Sequence, residues 1–315
     1  MTAGPVPGLH RRAVLAGLGA AATAPLLRPA RLCAAAPLFR RSVGSIEVTA
    51  VSDGALNVPL SFMLPETSPQ QAAALFAAHG LPAAGSPVPT NATLVKTGNE
   101  LVLIDAGSGA NFQPTAGKLA ENLEAAGIDP AAITTIVFTH GHADHLWGAL
   151  DDFDEAPRFP KARYIMAAEE WDFWTDPNTP GRIPEAFRGM ALGSARILKR
   201  IANRVERRKD GDTVAPGLSY VATIGHTPGH MGVMVESGGQ RLLVGGDALT
   251  HVAVSFARPE WRIGSDQDAD RAIATRKRLL DWLATDRTPM IGFHLPYPGH
   301  GLVERNGLAY RFVAL

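Results

Sequence analysis

From residue 46 onward, hydrophobic positions recur along the chain at two spacings, one typical of β-strands and one typical of α-helices. Short apolar runs bounded by glycine, proline or aspartate predict strands. The predicted strands cover residues 46–52, 91–97, 101–105, 134–139, 162–166, 218–224, 232–237, 241–245, 289–292 and 308–313. The run from Leu101 to Ile104 is apolar at every position, which is typical of a strand covered on both faces. The pattern therefore predicts sheets with a buried centre.

Helical spacing separates groups of these strands. The predicted helices cover residues 70–78, 115–126, 168–174, 184–208 and 267–284. The rest of residues 57–90 is rich in proline and alanine, which predicts a loop arm lying over another part of the fold. Strands followed by a helix occur twice in this order. Two packed sheets with helices outside satisfy it, so we expect an α/β fold.

The first 35 residues have the pattern of an export signal. Arg11 and Arg12 precede a weakly apolar run to Leu27, which is too short to be a stable membrane anchor, and an alanine-rich exit follows. The arginine pair resembles a twin-arginine signal, with an ordinary secretory signal as the alternative. We therefore predict a signal in residues 1–35 and one folded domain in residues 36–315. The protein would be periplasmic or secreted, without a membrane anchor after cleavage.

Charge and composition narrow the choice of partners and ligands. The 315 residues are 46% hydrophobic and contain 30 Lys+Arg and 30 Asp+Glu, so no basic field indicates a nucleic-acid partner. Removing residues 1–35 leaves 26 basic and 30 acidic residues, a net charge of −4. The only cysteine, Cys33, leaves with the signal. Any metal in the remaining chain would therefore be held by histidine nitrogen and carboxylate oxygen.

Four potential metal ligands fall within six residues, directly after a predicted buried strand. They are His140, His142, Asp144 and His145. A loop leaving a strand end stands on a rigid platform and can direct several side chains toward one point. Imidazole and carboxylate groups bind divalent zinc, manganese or iron. The spacing lets the first pair face one metal ion and the second pair another.

The segment from Thr139 to His145 resembles the hallmark Thr-His-x-His-x-Asp-His of the metallo-β-lactamase fold superfamily. The resemblance extends from about residue 45 to the end, because further motifs of that family follow in order. These motifs stand at Asp105, His226, Asp247 and His294. The fold of the family is an αββα sandwich of two packed mixed β-sheets with helices outside. We therefore expect that fold for residues 36–315.

The resemblance also implies a site for two divalent metal ions, with zinc expected first and manganese or iron as alternatives. The residues that would bind one ion are His140, His142 and His226. The residues that would bind the other ion are Asp144, His145 and His294. Asp247 would bridge the two ions. Asp105 would not bind metal but would orient a histidine ligand, and His230 would either do the same or serve in packing.

Several segments look like the methyl parathion hydrolase-like group of this superfamily. They cover residues 52–54, 170–174, 293–301 and 310–313. Acyl-homoserine lactonases of this fold usually have a tyrosine three residues past the bridging aspartate, where this chain has Thr250. Many members have a glycine pair after the histidine loop, where this chain has Leu146-Trp147-Gly148. We therefore expect Trp147 to narrow the site.

The function implied by the resemblance is a dinuclear metal-dependent hydrolase of esters, lactones or phosphotriesters. A hydroxide held between the two metal ions would be the nucleophile, and one ion would polarise the oxygen of the bond to be cut. Asp144 is the predicted catalytic residue, which would carry a proton to the leaving group. The substrate would be a small molecule with an apolar group. The predicted pocket walls, which as aromatic residues could equally belong to the core, are Trp147, Trp171, Phe173, Trp174 and Phe62.

Other functions stay open from sequence alone. A class B3-like β-lactamase would use the same histidine and aspartate ligands, and an iron-dependent oxygenase could hold iron in them. A metal carrier would bind the ions without catalysis. A nuclease is disfavoured, because the chain without residues 1–35 is acidic. The related group tends to form dimers, so a homodimer is expected by analogy.

Overall fold

The computed structural model describes residues 1, 2, 4, 38–82, 85 and 87–315. The chain divides into two units, Met1–Cys33 and Ala34–Leu315, and the two sheets lie in the second. The arginine pair, the apolar run and the alanine-rich exit of the predicted export signal lie outside the described residues, so the signal stays a prediction.

Seven strands form the first sheet. They are β1 (Phe39–Val43), β2 (Ile46–Leu56), β3 (Val88–Thr97), β4 (Glu100–Ile104), β5 (Thr135–Val137), β6 (Arg163–Ala167) and β7 (Val205–Arg208). The strands lie side by side in chain order. The pairs from β1 to β4 are antiparallel, and those from β4 to β7 are parallel, so the sheet is mixed.

Seven further strands form the second sheet. They are β8 (Thr213–Ala215), β9 (Leu218–Ala222), β10 (Met231–Ser237), β11 (Gln240–Val244), β12 (Met290–Ile291), β13 (His300–Asn306) and β14 (Ala309–Ala314). They again lie side by side in chain order. Only β11 and β12 pair in parallel, because a long connection with a helix joins them.

The helices lie before, between and after these strands. They are α1 (Leu60–Met63), α2 (Pro69–Ala78), α3 (Leu119–Ala125), α4 (Ala143–Leu146), α5 (Ala168–Thr175), α6 (Thr179–Arg182), α7 (Glu185–Ile201), α8 (Val254–Ala257) and α9 (Ala269–Asp286). Among the described residues, no helix combines the length and the apolar character needed to cross a membrane.

Strand β4 shows why the layers form. Its alternate side chains Val102 and Ile104 join the core between the two sheets, while Leu103 joins a second core with Leu123 of α3. Leu279 and other residues of α9 cover the outer face of the second sheet in the same way. Each sheet is therefore buried on both faces, and the expected αββα sandwich is confirmed.

The structure corrects the predicted helix over residues 184–208. Helix α7 ends at Ile201, a tight turn follows at Ala202–Arg204, and residues 205–208 form the edge strand β7. Their polar pattern continues the helical spacing, but pairing with β6 makes this segment extended. Strands β1, β8 and β13 were also not predicted. Each is short or rich in charged and small residues. Each pairs with a strand that is adjacent in the chain, namely β2, β9 and β14.

Candidate metal centre

Four loops carry the seven predicted metal ligands to one place. The segment after β5, which includes the short helix α4, carries His140, His142, Asp144 and His145. The loops after β9, β11 and β12 carry His226, Asp247 and His294. All seven side chains are buried. Because β5 belongs to the first sheet and the other three strands to the second, both halves of the sandwich contribute to the site.

The ligand atoms form two groups. One group is His140, His142, His226 and Asp247, and the other is Asp144, His145 and His294. Within each group the ligand atoms lie within 4.8 Å of one another. The structure thus divides the residues into the same two sets that the family motifs imply.

Asp247 contacts both groups. Its Oδ2 lies 3.2 Å from Nε2 of His226 and 3.1 Å from Nε2 of His294, and its Oδ1 lies 3.2 Å from Nε2 of His145. A carboxylate in this position can give one oxygen to each of two metal ions. The geometry fits the bridging role expected for this residue.

The cluster contains buried polar atoms that the protein leaves unsatisfied. Within the described part of the chain, Nε2 of His140, Nε2 of His145 and Oδ1 of Asp247 have no hydrogen-bond partner. Nδ1 of His142 and Nε2 of His226 lie only 2.9 Å apart. A buried polar atom without a partner costs about 1–3 kcal/mol, and divalent cations satisfy such nitrogen and oxygen atoms. These residues therefore fit two bound divalent metal ions.

Contacts at the other ring nitrogen orient two of the histidines. Nδ1 of His226 lies 3.0 Å from Oδ1 of Asp266, and the buried guanidinium of Arg276 donates to Oδ2 of Asp266 at 2.7 Å. Nδ1 of His294 lies 2.8 Å from the carbonyl oxygen of Pro89. Each contact fixes the ring so that Nε2 points into the cluster.

Asp105 orients the histidine loop from behind. Its carboxylate accepts hydrogen bonds from the backbone N–H of Thr139 at 2.8 Å and from its hydroxyl at 2.9 Å, and it lies 2.8 Å from Nδ1 of His145. The backbone of Asp105 has a φ of 64°, which a residue other than glycine rarely adopts. Surrounding contacts hold this unfavourable conformation at the end of β4, where the carboxylate reaches the loop.

His230 supports Asp247 through a hydrogen bond to the Asp247 backbone. Its Nε2 accepts a hydrogen bond from the N–H of Asp247 at 2.9 Å, and its Nδ1 lies 2.8 Å from Oγ1 of Thr223. Burial lowers the pKa of His230 to about 3, together with the charge of nearby His226. The neutral ring with its proton on Nδ1 satisfies both contacts, so the structure places His230 beside the ligands.

The electrostatics of the cluster favour bound cations. Burial opposes ionisation of Asp144, yet His145 and His294 lower its pKa below its ordinary value. Burial likewise disfavours the charged form of His294, but Asp247 and Asp144 raise its pKa to about 10. Protons and metal ions therefore compete for the same negative field, and metal binding would displace the protons.

An apolar cavity of about 280 Å³ opens onto the cluster. His142, Asp144, Asp247 and His294 line its base. The apolar walls include Phe62, Met63, Phe112, Phe187, Met190 and Ile263. Polar groups on the walls come from Asn57, Gln113, Thr250, His251 and Ser265. Among the described residues, no lysine or arginine lines this cavity.

The structure corrects most of the predicted pocket walls. Phe62 lines the cavity, whereas Trp147, Trp171, Phe173 and Trp174 do not. All four pack against the core outside the first sheet. The indole N–H of Trp147 donates to Ser194, which lies on α7 and not in the cavity. The spacing of aromatic residues in a sequence does not distinguish pocket walls from core residues. Here the four residues pack against core residues.

Two further carboxylates, outside the predicted set of site residues, support the cluster. One is Asp266 behind His226, and the other is the fully buried Glu170 on α5. Neither was singled out individually in the sequence, because an isolated acidic residue is most often a surface residue. Only the three-dimensional structure shows that the side chains of these two acids are buried beside the loops that carry the predicted ligands.

Comparisons with known proteins agree with this geometry. The family model described as the metallo-beta-lactamase superfamily matches residues 85–301. An uncharacterized protein of Mycobacterium tuberculosis (strain ATCC 25618 / H37Rv) is 30% identical over 224 residues, which are 69% of this chain and 87% of that protein. The probable metallo-hydrolase YflN of Bacillus subtilis (strain 168) is 28% identical over 167 residues, 49% of this chain and 57% of that protein.

Two solved structures share most of the fold. The dizinc quorum-quenching lactonase AidC, in complex with a product, has a TM-score of 0.83 and 25% identity, covering 89% of this chain and 98% of its own. The hydrolase AbOPH has a TM-score of 0.81 and 28% identity with the same two coverages, 89% and 98%. The methyl parathion hydrolase-like subgroup stays a prediction.

Proposed function

Because this chain belongs to the metallo-beta-lactamase superfamily, we propose that it is a hydrolase that holds two divalent metal ions and cleaves esters, lactones or phosphotriesters. The observation that carries the proposal is the pair of ligand groups at the base of an apolar cavity. His140, His142 and His226 would hold one ion, and Asp144, His145 and His294 the other. Asp247 would bridge them.

The bound ions would lower the pKa of a shared water and polarise the oxygen of the scissile bond. The chain itself would hold the ligands in the required orientation and exclude bulk water from the base of the cavity. Asp144 lines that base, with Oδ2 3.2 Å from Nε2 of His294. An anionic carboxylate at this position can accept a proton and pass it to a leaving group.

Replacing Asp144 by Asn tests its proton role. The amide keeps the size and can still offer an oxygen to metal, but it cannot carry a proton. With both ions retained, turnover should fall by roughly 10²–10⁴-fold. Metal content is measured on the same samples, and Asp151→Asn serves as the control because Asp151 lies on an exposed turn away from the cavity. Full metal loading with unchanged turnover would contradict the proposed role.

The cavity supports an uncharged substrate with an apolar group. Its walls include several phenylalanine and methionine side chains, with a few amide and hydroxyl groups for orientation. Since no lysine or arginine lines it among the described residues, a negatively charged group on the substrate would find no positive charge there other than the metal ions. Neutral aryl esters, lactones and phosphotriesters meet this requirement. That AidC is a dizinc lactonase is consistent with lactones as one candidate class.

A substrate panel on protein of measured metal content is the direct test. We expect turnover of at least one of aryl esters, lactones and phosphotriesters, and loss of that turnover when a chelator removes the ions. A β-lactam turned over as fast as the esters would favour the β-lactamase alternative. Oxygen consumption by an iron-loaded sample would favour the oxygenase. No turnover of any substrate by fully loaded protein would overturn the hydrolase proposal.

We also propose that the protein is exported by a twin-arginine-type signal in residues 1–35 and acts in the periplasm or outside the cell. A folded, metal-loaded protein is suited to that route. Replacing Arg11 and Arg12 together by Lys should retain the protein in the cytoplasm, as fractionation and immunoblotting would show. Normal export of this variant would exclude the twin-arginine route. A homodimer stays an expectation that size-exclusion chromatography with light scattering can check.

A further inference from the structure

Glu170 is a buried carboxylate that links two of the metal-binding loops. It lies on α5, is 0% exposed, and accepts four hydrogen bonds. Oε1 accepts from the backbone N–H of Gly141 at 2.9 Å and from the indole N–H of Trp174. Oε2 accepts from the hydroxyl of Thr227 at 2.8 Å and from the N–H of Gly229 at 2.9 Å. Burial raises the pKa of the Glu170 carboxyl above its ordinary value, and the four donors oppose that shift.

The donors flank the three histidines of one metal group. Gly141 lies between His140 and His142, and Thr227 directly follows His226. These three histidines belong to the same group of ligand atoms. Glu170 thus connects the two loops that must converge on that ion, although it lies in neither loop.

Close packing leaves the loops little freedom to move away. A Cβ on Gly141 would lie 2.4 Å from the ring of Trp174, and a Cβ on Gly229 would lie 2.2 Å from the backbone nitrogen of Glu170. The carbonyl of Gly141 also accepts a hydrogen bond from Ser194 at 2.7 Å. The peptide between His140 and His142 is therefore held from both sides.

The other metal group has a separate support. Asp105 contacts Nδ1 of His145, and the carbonyl of Pro89 contacts Nδ1 of His294. Among the described residues, Glu170 makes no hydrogen bond to Asp144, His145 or His294. Asp105 also accepts hydrogen bonds from Thr139, next to His140, so it supports both groups, whereas Glu170 binds the ligand loops only beside the three histidines.

We propose that Glu170 is a positioning residue that sets the metal affinity of the three-histidine group selectively, and leaves the group of Asp144, His145 and His294 largely unaffected. The inference rests on the proposed two-metal site. Replacement by Gln leaves one oxygen for two sets of donors. The amide NH₂ would then face either Gly141 and Trp174 or Thr227 and Gly229. Because backbone N–H groups cannot turn away, one of the two loops must lose its support.

The test compares Glu170→Gln with a matched variant, Asp53→Asn. Asp53 is also 0% exposed and accepts four hydrogen bonds, from Ser108, Gly117 and Leu119, but it contacts no ligand loop. Both variants lose a buried carboxylate, so both should unfold at a lower temperature. Zinc is titrated against a competing chelator, and bound zinc per chain is measured by mass spectrometry.

We expect two zinc ions on the wild-type chain. Glu170→Gln should lower the affinity for one of them by about tenfold or more and leave the affinity for the other near its wild-type value. Asp53→Asn should leave both affinities unchanged. In a His226→Ala background, which lacks a ligand of the three-histidine group, Glu170→Gln should remove no further zinc. In a His294→Ala background, Glu170→Gln should weaken zinc binding by the same factor as it does in the wild-type chain.

The outcomes separate the inference from its premise. A wild-type chain that binds fewer than two zinc ions would overturn the proposed two-metal site. With two ions bound, wild-type affinities in Glu170→Gln, or equal weakening of both ions, would overturn the selective role of Glu170. If Glu170→Gln does not fold, Thr227→Val removes one donor and keeps the carboxylate. Thr227→Val should lower the affinity for one zinc ion several-fold. Unchanged zinc affinity in this variant would equally overturn the inference.

Discussion

At the scale of single residues, the site depends on a glycine, which has no side chain, as well as on the predicted ligands. Gly141 carries no ligand, yet it lies between His140 and His142 with the ring of Trp174 against it. Any side chain there would displace either the loop or the tryptophan. The ordinary reason for a glycine, a positive φ, does not apply, because its φ is not in that range.

Gly141→Ala should therefore lower both stability and zinc affinity. A Cβ would meet Trp174 at 2.4 Å, and overpacking of this kind costs about 1–3 kcal/mol. Denaturant unfolding and zinc competition measure the two effects. Gly189→Ala is the control, because Gly189 lies within α7 with open space around it and should gain about 0.5–1 kcal/mol. A neutral Gly141→Ala variant would show that the loop and Trp174 separate easily.

His300 provides a residue-scale prediction about pH. It is 1% exposed, stacks on Phe39 at 4.9 Å, and neither ring nitrogen has a hydrogen-bond partner among the described residues. Burial lowers its pKa to about 4, with the charge of Arg41 acting in the same direction. The folded state therefore favours the neutral ring. Its stability contribution is complete above the unfolded pKa of about 6.5 and is lost as the pH falls toward 4.

His300→Phe should remove this dependence. Between pH 8 and pH 5 the wild-type free energy of unfolding should lose about 2 kcal/mol through this residue alone, and the variant should lose correspondingly less. Denaturant melts across that range give the comparison, and His79→Gln, at an exposed histidine, is the control. Parallel pH profiles for wild type and His300→Phe would contradict the assignment.

At the scale of elements, the local hydrophobic pattern predicts the strands and helices that have a continuous buried face. The apolar run of β4 and the amphipathic stretches of α5 and α9 lie within one to three residues of their predicted limits. Strand β7 could not be predicted, because Val205–Arg208 is extended only through its pairing with β6. The ligand set could be proposed from motifs because each ligand follows a strand end. Glu170 and the cavity walls depend on which elements meet, and no local pattern contains that information.

The loop arm with α1 provides the element-scale prediction. Phe62 of α1 lies 5.5 Å, between ring centroids, from Phe187 of α7, and both line the cavity. Phe62→Ala opens this wall and removes apolar contact area. KM for a neutral aryl ester should rise roughly tenfold with a smaller change in kcat, since one apolar contact is worth about 1–3 kcal/mol. Phe153→Ala, at a side chain that is 97% exposed, is the control. An unchanged KM would exclude Phe62 from the substrate path.

At the scale of the whole molecule, the predicted ligands come from both sheets, which also share an apolar core and several hydrogen bonds. His140, His142, Asp144 and His145 follow a strand of the first sheet, and His226, Asp247 and His294 follow strands of the second. Bound ions would therefore cross-link the sandwich at this site. In their absence the clustered carboxylates and unsatisfied ring nitrogens are a local source of instability.

Metal removal should therefore lower the melting temperature of the entire domain. A ligand that binds only the folded state at a thousand times its dissociation constant adds about 4 kcal/mol per site, and 1 kcal/mol shifts the melting temperature of a domain this size by about 2–4 °C. For two sites, exhaustive chelation should thus lower it by on the order of 20 °C, and restored zinc should reverse the change. Asp247→Ala, which removes the carboxylate proposed to bridge the ions, should melt lower and respond less to the chelator. An unchanged melting temperature while bound zinc falls from two ions to none would mean that the loops are already rigid, so that the metals serve chemistry and not the fold.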